Sequence, residues 1–313
     1  LGRTLAYRTI PTEPEKGPDD ATRRMAQAVR DTIAQAGLEV DQVARVGLGS
    51  PGTMDIPGGY LICPVNLKGW DGYPIRDKLA EYCGLPVSFE NDANAAAYGE
   101  YWVGSGRSFH SMVLLTLGTG IGCGIIIGDQ VIRGENSHGA ECGHIIIDCR
   151  DDAMVCSCGQ PGHLEAYASA TGVIKRTEAA LAAGRTSSIQ TRLAAGEKLT
   201  PLLVAQEAEK GDPLALEIVM ETARYLGIGI VTLMHTIDPN GVLLGGAMTF
   251  GGRDSPLGQQ FLARIKQEID RRAFALLAER IVLDFAALGG DAGYIGAAGI
   301  ARLEYSQLRQ KQA

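Results

Sequence analysis

Cys156, Cys158, His163 and Glu165 stand within the ten residues CSCGQPGHLE, a stretch broken by two glycines and a proline. Thiolates and an imidazole so close together suit a metal ion, a pair of cysteines suits redox exchange, and a carboxylate beside them suits the edge of an active site. A second candidate is TLGTGIGCG, Thr116 to Gly124. Bare glycines let successive backbone N–H groups approach an anion, and Thr116 and Thr119 add hydroxyl donors, although a tight hairpin without any ligand explains the same glycines.

Composition bounds where such chemistry would run. The chain has 313 residues, 45% of them hydrophobic, enough for a large core and more than one domain usually holds, so two lobes are expected. Seven cysteines without a disulfide-framework spacing fit a reducing compartment, where clustered thiols hold metal more often than one another. The chain has neither an apolar run of about eighteen residues nor a leader with a small-residue cleavage site, so a soluble, cytoplasmic protein without a membrane partner is expected. A formal net charge of −7 argues against nucleic acid as a main partner.

Strands and helices alternate around these residues. Leu1 to Ile10, LGRTLAYRTI, alternates like a strand already under way, and Ala21 to Ala36 carries Met25, Val29 and Ile33 on one face of a helix that Gly37 stops. Val43 to Leu48 is a buried-type strand leading into Gly49-Ser50-Pro51-Gly52. A helix over Ile75 to Cys83 and a strand over Leu85 to Phe89 lead to Glu90-Asn91-Asp92, whose Asn-Asp pair suits the cap of a helix over Ala93 to Val103. Strands Ser111 to Leu117 and Ile125 to Ile127 flank the glycine turn, which is therefore a hairpin and not the strand-to-helix loop of a dinucleotide fold or a P-loop. Thr200-Pro201 and Asp212-Pro213 open helices, the second running through Tyr225 to about His235. Strand Val242 to Leu244 enters Gly245-Gly246, a helix occupies about Leu257 to Ala278, and strand Ile281 to Phe285 runs toward Gly289-Gly290 before a last helix. Strand ends that precede helices are where open α/β sheets hold ligands.

The motifs GLGSPG (47–52), PVNLKGW (64–70), ENDANAAAYGE (90–100), TLGTGIGCG (116–124), GAECGH (139–144) and CSCGQPGHLE, in this order, resemble the ROK family (repressor, open reading frame, kinase), and within it the kinases of the glucokinase type. The resemblance covers about Gly47 to Gly296 and implies an α/β chain of the actin-like ATPase (ribonuclease H-like) fold, two lobes around a cleft where sugar and ATP meet. The expected division is a small lobe, 1–109 plus 297–313, and a large lobe, 110–296, that holds the metal loop and nucleotide contacts. The family pattern begins with a strand and an Asp-x-Gly-Gly-Thr loop facing the ATP phosphates and Mg²⁺. No such loop stands in this sequence, which begins about 20 residues, two strands and a turn, into the pattern. Because a sheet without its first strand leaves an edge and a core face uncovered, that segment is expected ahead of Leu1.

What the resemblance implies for residues is specific. Asp92 is expected to be the base that takes the proton of the attacking sugar hydroxyl, where an isolated Asn-Asp pair would merely cap a helix. Asn66, Asn91, Glu141, His144 and Glu165 join Asp92 as sugar contacts, and such a set with few cations suits a neutral hexose. Thr116, Gly118, Thr119, Gly120, Gly245, Gly246 and Gly290 are expected to face ATP. On this reading a valine at 120 weakens nucleotide binding far more than sugar binding. His144, Cys156, Cys158 and His163 make four ligands suited to a closed, structural tetrahedral zinc, with His163 where the family pattern has a third cysteine. Two unrelated thiols and a histidine remain the plainer explanation, and the C-x-C spacing speaks against a redox pair. His144 belongs to both sets, so the metal would brace the sugar site. The implied activity is phosphorylation of glucose, with other hexoses or N-acetylhexosamines as alternatives. A sugar-responsive repressor is the rival reading, although nothing in the chain resembles a helix-turn-helix, and a sugar-binding pseudokinase is a second. The resemblance suggests dimers or tetramers.

Overall fold

Helix α1 (Pro18–Gln35) begins ahead of its predicted start because Pro18 occupies the first turn, where its missing N–H is no loss, and Asp19 and Asp20 meet the positive end of the helix dipole. The computed structural model describes residues 2–64 and 67–312. The predicted strand at Leu1 to Ile10 is not formed: from residue 2 to residue 13 there is no regular element. Alternation yields a strand only where a backbone partner completes the hydrogen bonds. Here side chains hold the segment instead, through Arg8 to Asp31 at 2.7 Å, the Thr4 and Tyr294 hydroxyls at 3.1 Å, and the Tyr7 ring against Tyr294.

The chain divides into two units, one of Leu1–Arg107, Gln130–Ala140 and Gly290–Ala313, the other of Ser108–Asp129 and Glu141–Gly289. Residues 130–140 and 290–296 thus pack with the smaller unit, whereas the sequence placed them in the larger one. In the smaller unit α1 is followed by strands β1 (Val46–Ser50), β2 (Met54–Asp55) and β3 (Tyr60–Leu61), helix α2 (Ile75–Cys83), strand β4 (Val87–Asn91) and helix α3 (Asp92–Trp102). β1 and β4 run parallel with Gly49 opposite Glu90 and Ser50 opposite Asn91, which brings two of the sequence motifs to one end of the pair. Met54, Leu61, Trp70, Ile75 and Phe89 form one core cluster beneath it, and Ala26, Ile33, Leu79, Cys83 and Val87 another between α1 and α2.

The larger unit starts with β5 (Ser111–Leu117) and β6 (Ile121–Ile127), an antiparallel hairpin as predicted. The short β7 (Gln130–Val131) belongs to the smaller unit. Helices α4 (Leu164–Ala168), α5 (Ala170–Ala182), α6 (Ile189–Ala194), α7 (Pro201–Glu209) and α8 (Pro213–Ile237) come next, then β8 (Gly241–Gly245), α9 (Pro256–Arg272), α10 (Ala275–Arg280) and β9 (Val282–Phe285). Within this unit the sheet order is β6, β5, β8, β9, with β5, β8 and β9 parallel. Both β5 and β8 are apolar and buried along nearly their whole length, as strands covered on both faces must be. Thr200 and Asp212 cap α7 and α8 through their side chains. The single helix predicted over Leu257 to Ala278 is two, because Ala273 and Phe274 turn extended so that the Phe274 N–H reaches His235 Nε2 (3.2 Å) and its ring packs on the imidazole. The last helix, α11 (Ala292–Gln312), returns to the smaller unit and lies against α3 so closely that a Cβ at Gly296 would stand 1.6 Å from the Ala95 carbonyl oxygen. Among the described residues no helix is long and apolar enough to cross a membrane.

Candidate active site and metal centre

The loop between β6 and α4 is pinned as a pair of arms. Residues 145–147 and 162–164 bond antiparallel, through Leu164 N–H to Ile145 O (2.9 Å) and Ile147 N–H to Gly162 O (2.8 Å), while a turn closes at Gly159 N–H to Cys156 O (3.0 Å). Gly162 has φ +80°, and a Cβ there would stand 1.9 Å from Asp148 O, so glycine is required where the arms cross. Tyr167 staples the loop from α4: its hydroxyl donates to Asp148 (2.7 Å) and accepts from Met154 N–H (2.8 Å).

This folding brings His144, Cys156, Cys158 and His163 together, with their ligand atoms all within 4.8 Å of one another. His144 Nδ1 lies 3.3 Å from His163 Nδ1 and 3.8 Å from Cys156 Sγ, and Cys158 Sγ lies 3.2 Å from His163 Nδ1. Zinc with Zn–N of about 2.0–2.1 Å and Zn–S of about 2.3 Å at the tetrahedral angle sets neighbouring donors roughly 3.3–3.8 Å apart, close to the three separations above. Burial, and then the nearby His144, depress the pKa of His163, which favours the neutral imidazole that a metal requires; burial pushes the Cys156 thiol up. His144 turns Nδ1 inward and leaves Nε2 toward Glu141, 3.9 Å from its exposed carboxylate.

Glu165 is held by both oxygens. Ser157 Oγ donates to Oε1 (2.5 Å) and the Ile121 N–H to Oε2 (3.0 Å), and Cys156 Sγ lies 3.4 Å from Oε1. Burial would raise this carboxyl's pKa, but the three donors outweigh it and hold the group below its ordinary value, charged at neutral pH. The sequence reading missed Ser157 and the Ile121 amide. The first is only a spacer in C-x-C, and the second carries no side-chain signal at all.

The glycine turn sits at the end of the same sheet. Gly118 O accepts from Ala170 N–H (2.9 Å) and Thr119 O from Thr171 Oγ1 (3.0 Å), so the start of α5 grips the turn. Thr116 lies in register with Gly245, and Gly246, at φ +86°, is wedged where a Cβ would meet Leu117 O at 2.3 Å. Close packing is thus a sufficient reason for that glycine. A Cβ at Gly118 meets nothing, whereas one at Gly120 would collide with Glu165 Oε2 at 2.3 Å. A substitution at 120 therefore strikes the Glu165 carboxylate directly, a contact that the expectation of a predominantly nucleotide effect did not include.

In the smaller unit Asn91, not Asp92, is the cap of α3. Its Oδ1 accepts from the Ala93 (2.9 Å) and Asn94 (3.2 Å) N–H groups, and Asp92 Oδ1 accepts from Ala93 N–H (2.8 Å). Every residue from Ala93 to Glu100 is buried, while Asp92 is exposed. Gly290 also belongs to this unit, with no neighbour where a Cβ would stand. Asn66 lies outside the described residues.

Residues 4–304 match the model of the ROK family. The chain is 32% identical over 301 residues to a protein named glucokinase from Halalkalibacterium halodurans, covering 96% of this chain and 89% of the relative. It is 29% identical over 255 residues to a xylose repressor from Caldicellulosiruptor bescii, covering 80% of this chain and 61% of the repressor. Among solved structures, a ROK family glucokinase from Streptomyces griseus in complex with glucose and AMPPNP superposes with a TM-score of 0.73 at 32% identity, covering 96% of this chain and 93% of that one. The fold is accordingly that of the actin-like ATPases, and with the motifs in place in both units the chain belongs to the ROK family.

Proposed function

We propose that the protein is an ATP-dependent hexose kinase that transfers the γ-phosphoryl group to the 6-hydroxyl of glucose. The observation that carries this is the placement of Asp92, an exposed carboxylate on the first turn of an otherwise buried helix whose capping is done by its neighbour. Asp92 accepts the hydroxyl proton as the oxygen attacks phosphorus, and Asn91, with Oδ1 committed to the cap, has its amide N–H₂ left to donate to the sugar. Glu165, His144 Nε2, Glu141 and Asn66 read the remaining hydroxyls. Mg²⁺ bound with the ATP phosphates would supply the positive charge that neutralises the transferred group. The four-ligand cluster holds a structural zinc that fixes His144 and, through the C-x-C loop, Glu165. The setting is cytoplasmic and the assembly a dimer or tetramer, which light scattering checks.

The activity is tested by ADP formation from the full-length protein with glucose, mannose, fructose, N-acetylglucosamine and N-acetylmannosamine. The highest kcat/KM is expected with glucose. ADP formation with another of these sugars in preference reassigns the substrate, and sugar binding without ADP formation supports the repressor reading that the likeness to xylose repressors keeps in view.

The hairpin supplies a separate test. Gly118→Ala adds a methyl that touches no protein atom, so its expected effect is on ATP, with KM raised roughly tenfold through a weakened phosphate contact and glucose KM within about twofold. Gly120→Ala displaces the Glu165 carboxylate and is expected to raise glucose KM at least as much as ATP KM. An unchanged ATP KM in Gly118→Ala removes the turn from the nucleotide site.

A further inference from the structure

We infer that Arg133, acting through the buried carboxylate of Glu90, is a positioning residue for Asp92; the inference rests on Asp92 being the base. Glu90 is 1% exposed and its two oxygens do different work. Oε1 accepts from the Asn91 backbone N–H (3.0 Å) and from Asn94 Nδ2 (3.0 Å), one partner on either side of Asp92. Oε2 accepts from Arg133 Nε at 2.6 Å. A single carboxylate therefore clips the end of β4 to the first turn of α3, the step in the chain at which Asp92 stands.

Burying a carboxylate this deeply is costly unless an opposite charge pairs with it. Arg133 supplies it, and Arg133 is itself held. Its guanidinium also faces Glu304 of α11 at 3.4 Å, and Glu304 accepts the Ser88 hydroxyl of β4 at 2.5 Å. Its backbone belongs to a closed loop: Gly139 N–H donates to Arg133 O (2.7 Å) and Ile56 N–H to Ser137 Oγ (3.0 Å). Ser137 and Ala140 have φ of +60° and +66°, a region that residues other than glycine occupy rarely and only when their surroundings enforce it. Without Arg133 the Glu90 carboxylate loses the partner that holds Oε2 and turns toward water, which draws Oε1 away from Asn91 and Asn94 and opens the clip. Contacts that bind ATP lie elsewhere, so beyond what Asn91 contributes to sugar binding the loss falls on the rate of the bound complex, for which sub-ångström placement matters most.

The test uses the full-length protein. Arg133→Met keeps the apolar stem and removes the charge; kcat is expected to fall roughly 10–100-fold, with KM for ATP changed less than about threefold. Amide exchange in peptides spanning residues 90–98 is expected to quicken. Combining it with Glu90→Gln is expected to restore kcat to within about fivefold of the parent, because an amide needs no counter-charge and its oxygen still accepts from Asn91 and Asn94. A kcat within about twofold of the parent in Arg133→Met, unchanged exchange, or a double variant no faster than Arg133→Met overturns the inference. If Arg133→Met does not fold, the double variant decides alone, recovery supporting and a loss of tenfold or more refuting. Asp92→Asn in the same assay separates the two ideas: normal turnover there refutes the base, whereas exchange judges the clip without reference to it.

Discussion

Asp92→Asn lowers kcat by roughly 10²–10⁴ while glucose KM stays within about threefold. The substitution is nearly isosteric and leaves an oxygen to accept from the Ala93 N–H, as Asp92 Oδ1 does at 2.8 Å. What disappears is the proton acceptor. The competing explanation, a helix cap, is served by Asn91, which bonds both the Ala93 and Asn94 N–H groups, and asparagine is among the best N-cap residues in any case. A helix-cap role for Asp92 would thus survive the change almost untouched, and steady-state kcat discriminates cleanly. Asn91→Ala is the companion measurement. It removes the cap, at about 1 kcal/mol of stability, and a sugar-facing amide together, so Tm and glucose KM move in concert. Undiminished turnover in Asp92→Asn would return the residue to the surface of α3 with no part in the reaction.

The second large effect is at His163. Elemental analysis of the purified protein is expected to find about one zinc per chain, the content of a single closed four-ligand site. His163→Ala leaves three donors and an open position where Nδ1 now approaches both His144 Nδ1 and Cys158 Sγ. Metal content and Tm are expected to fall together, and glucose KM to rise roughly 10–100-fold, because the arm that carries Ser157 and the ring of His144 lose their common anchor. His163→Cys puts a thiolate at the same backbone position and is expected to keep zinc and activity. Exhaustive chelation of the parent protein is expected to reproduce the alanine phenotype. Normal metal content and sugar affinity in His163→Ala would mean that the cluster holds no ion.

How much of this was readable beforehand depended on how local the physics is. Caps, proline starts and apolar periodicity placed α7, α8 and the β5–β6 hairpin, because each signal and its consequence lie within a few residues of one another. The Cys/His cluster was legible for the same reason, three of its four residues lying within eight positions in a glycine-rich loop. Distant partners were not. The alternation at Leu1 to Ile10 says nothing of whether a neighbouring strand accompanies it, and the break at Ala273 depends on His235, a residue of another helix. That the Glu165 carboxylate stands over Gly120 could not be read from the sequence, because the two lie 45 residues apart. Arg133 drew no notice for a parallel reason: its importance comes from Glu90, and the segment 130–140 joins the smaller unit by packing that no periodicity announces.

The close seating of α11 against α3 has a consequence for synthesis. Gly47, Ala95 and Gly99 of the early chain touch residues 292–297, so the helix that carries Asp92 is a long-range structure in sequence terms. A ribosome delivers β1, β4 and α3 well before α11 leaves the exit tunnel. Until then the alanine-rich face of α3 is an uncovered apolar surface, of the kind that chaperones bind and that aggregates. The larger unit, whose segments lie between, finishes emerging first. Asp92 is therefore placed last, and a nascent chain is expected to acquire the larger unit's ordered sheet and its Cys/His loop before the surroundings of Asp92 are complete.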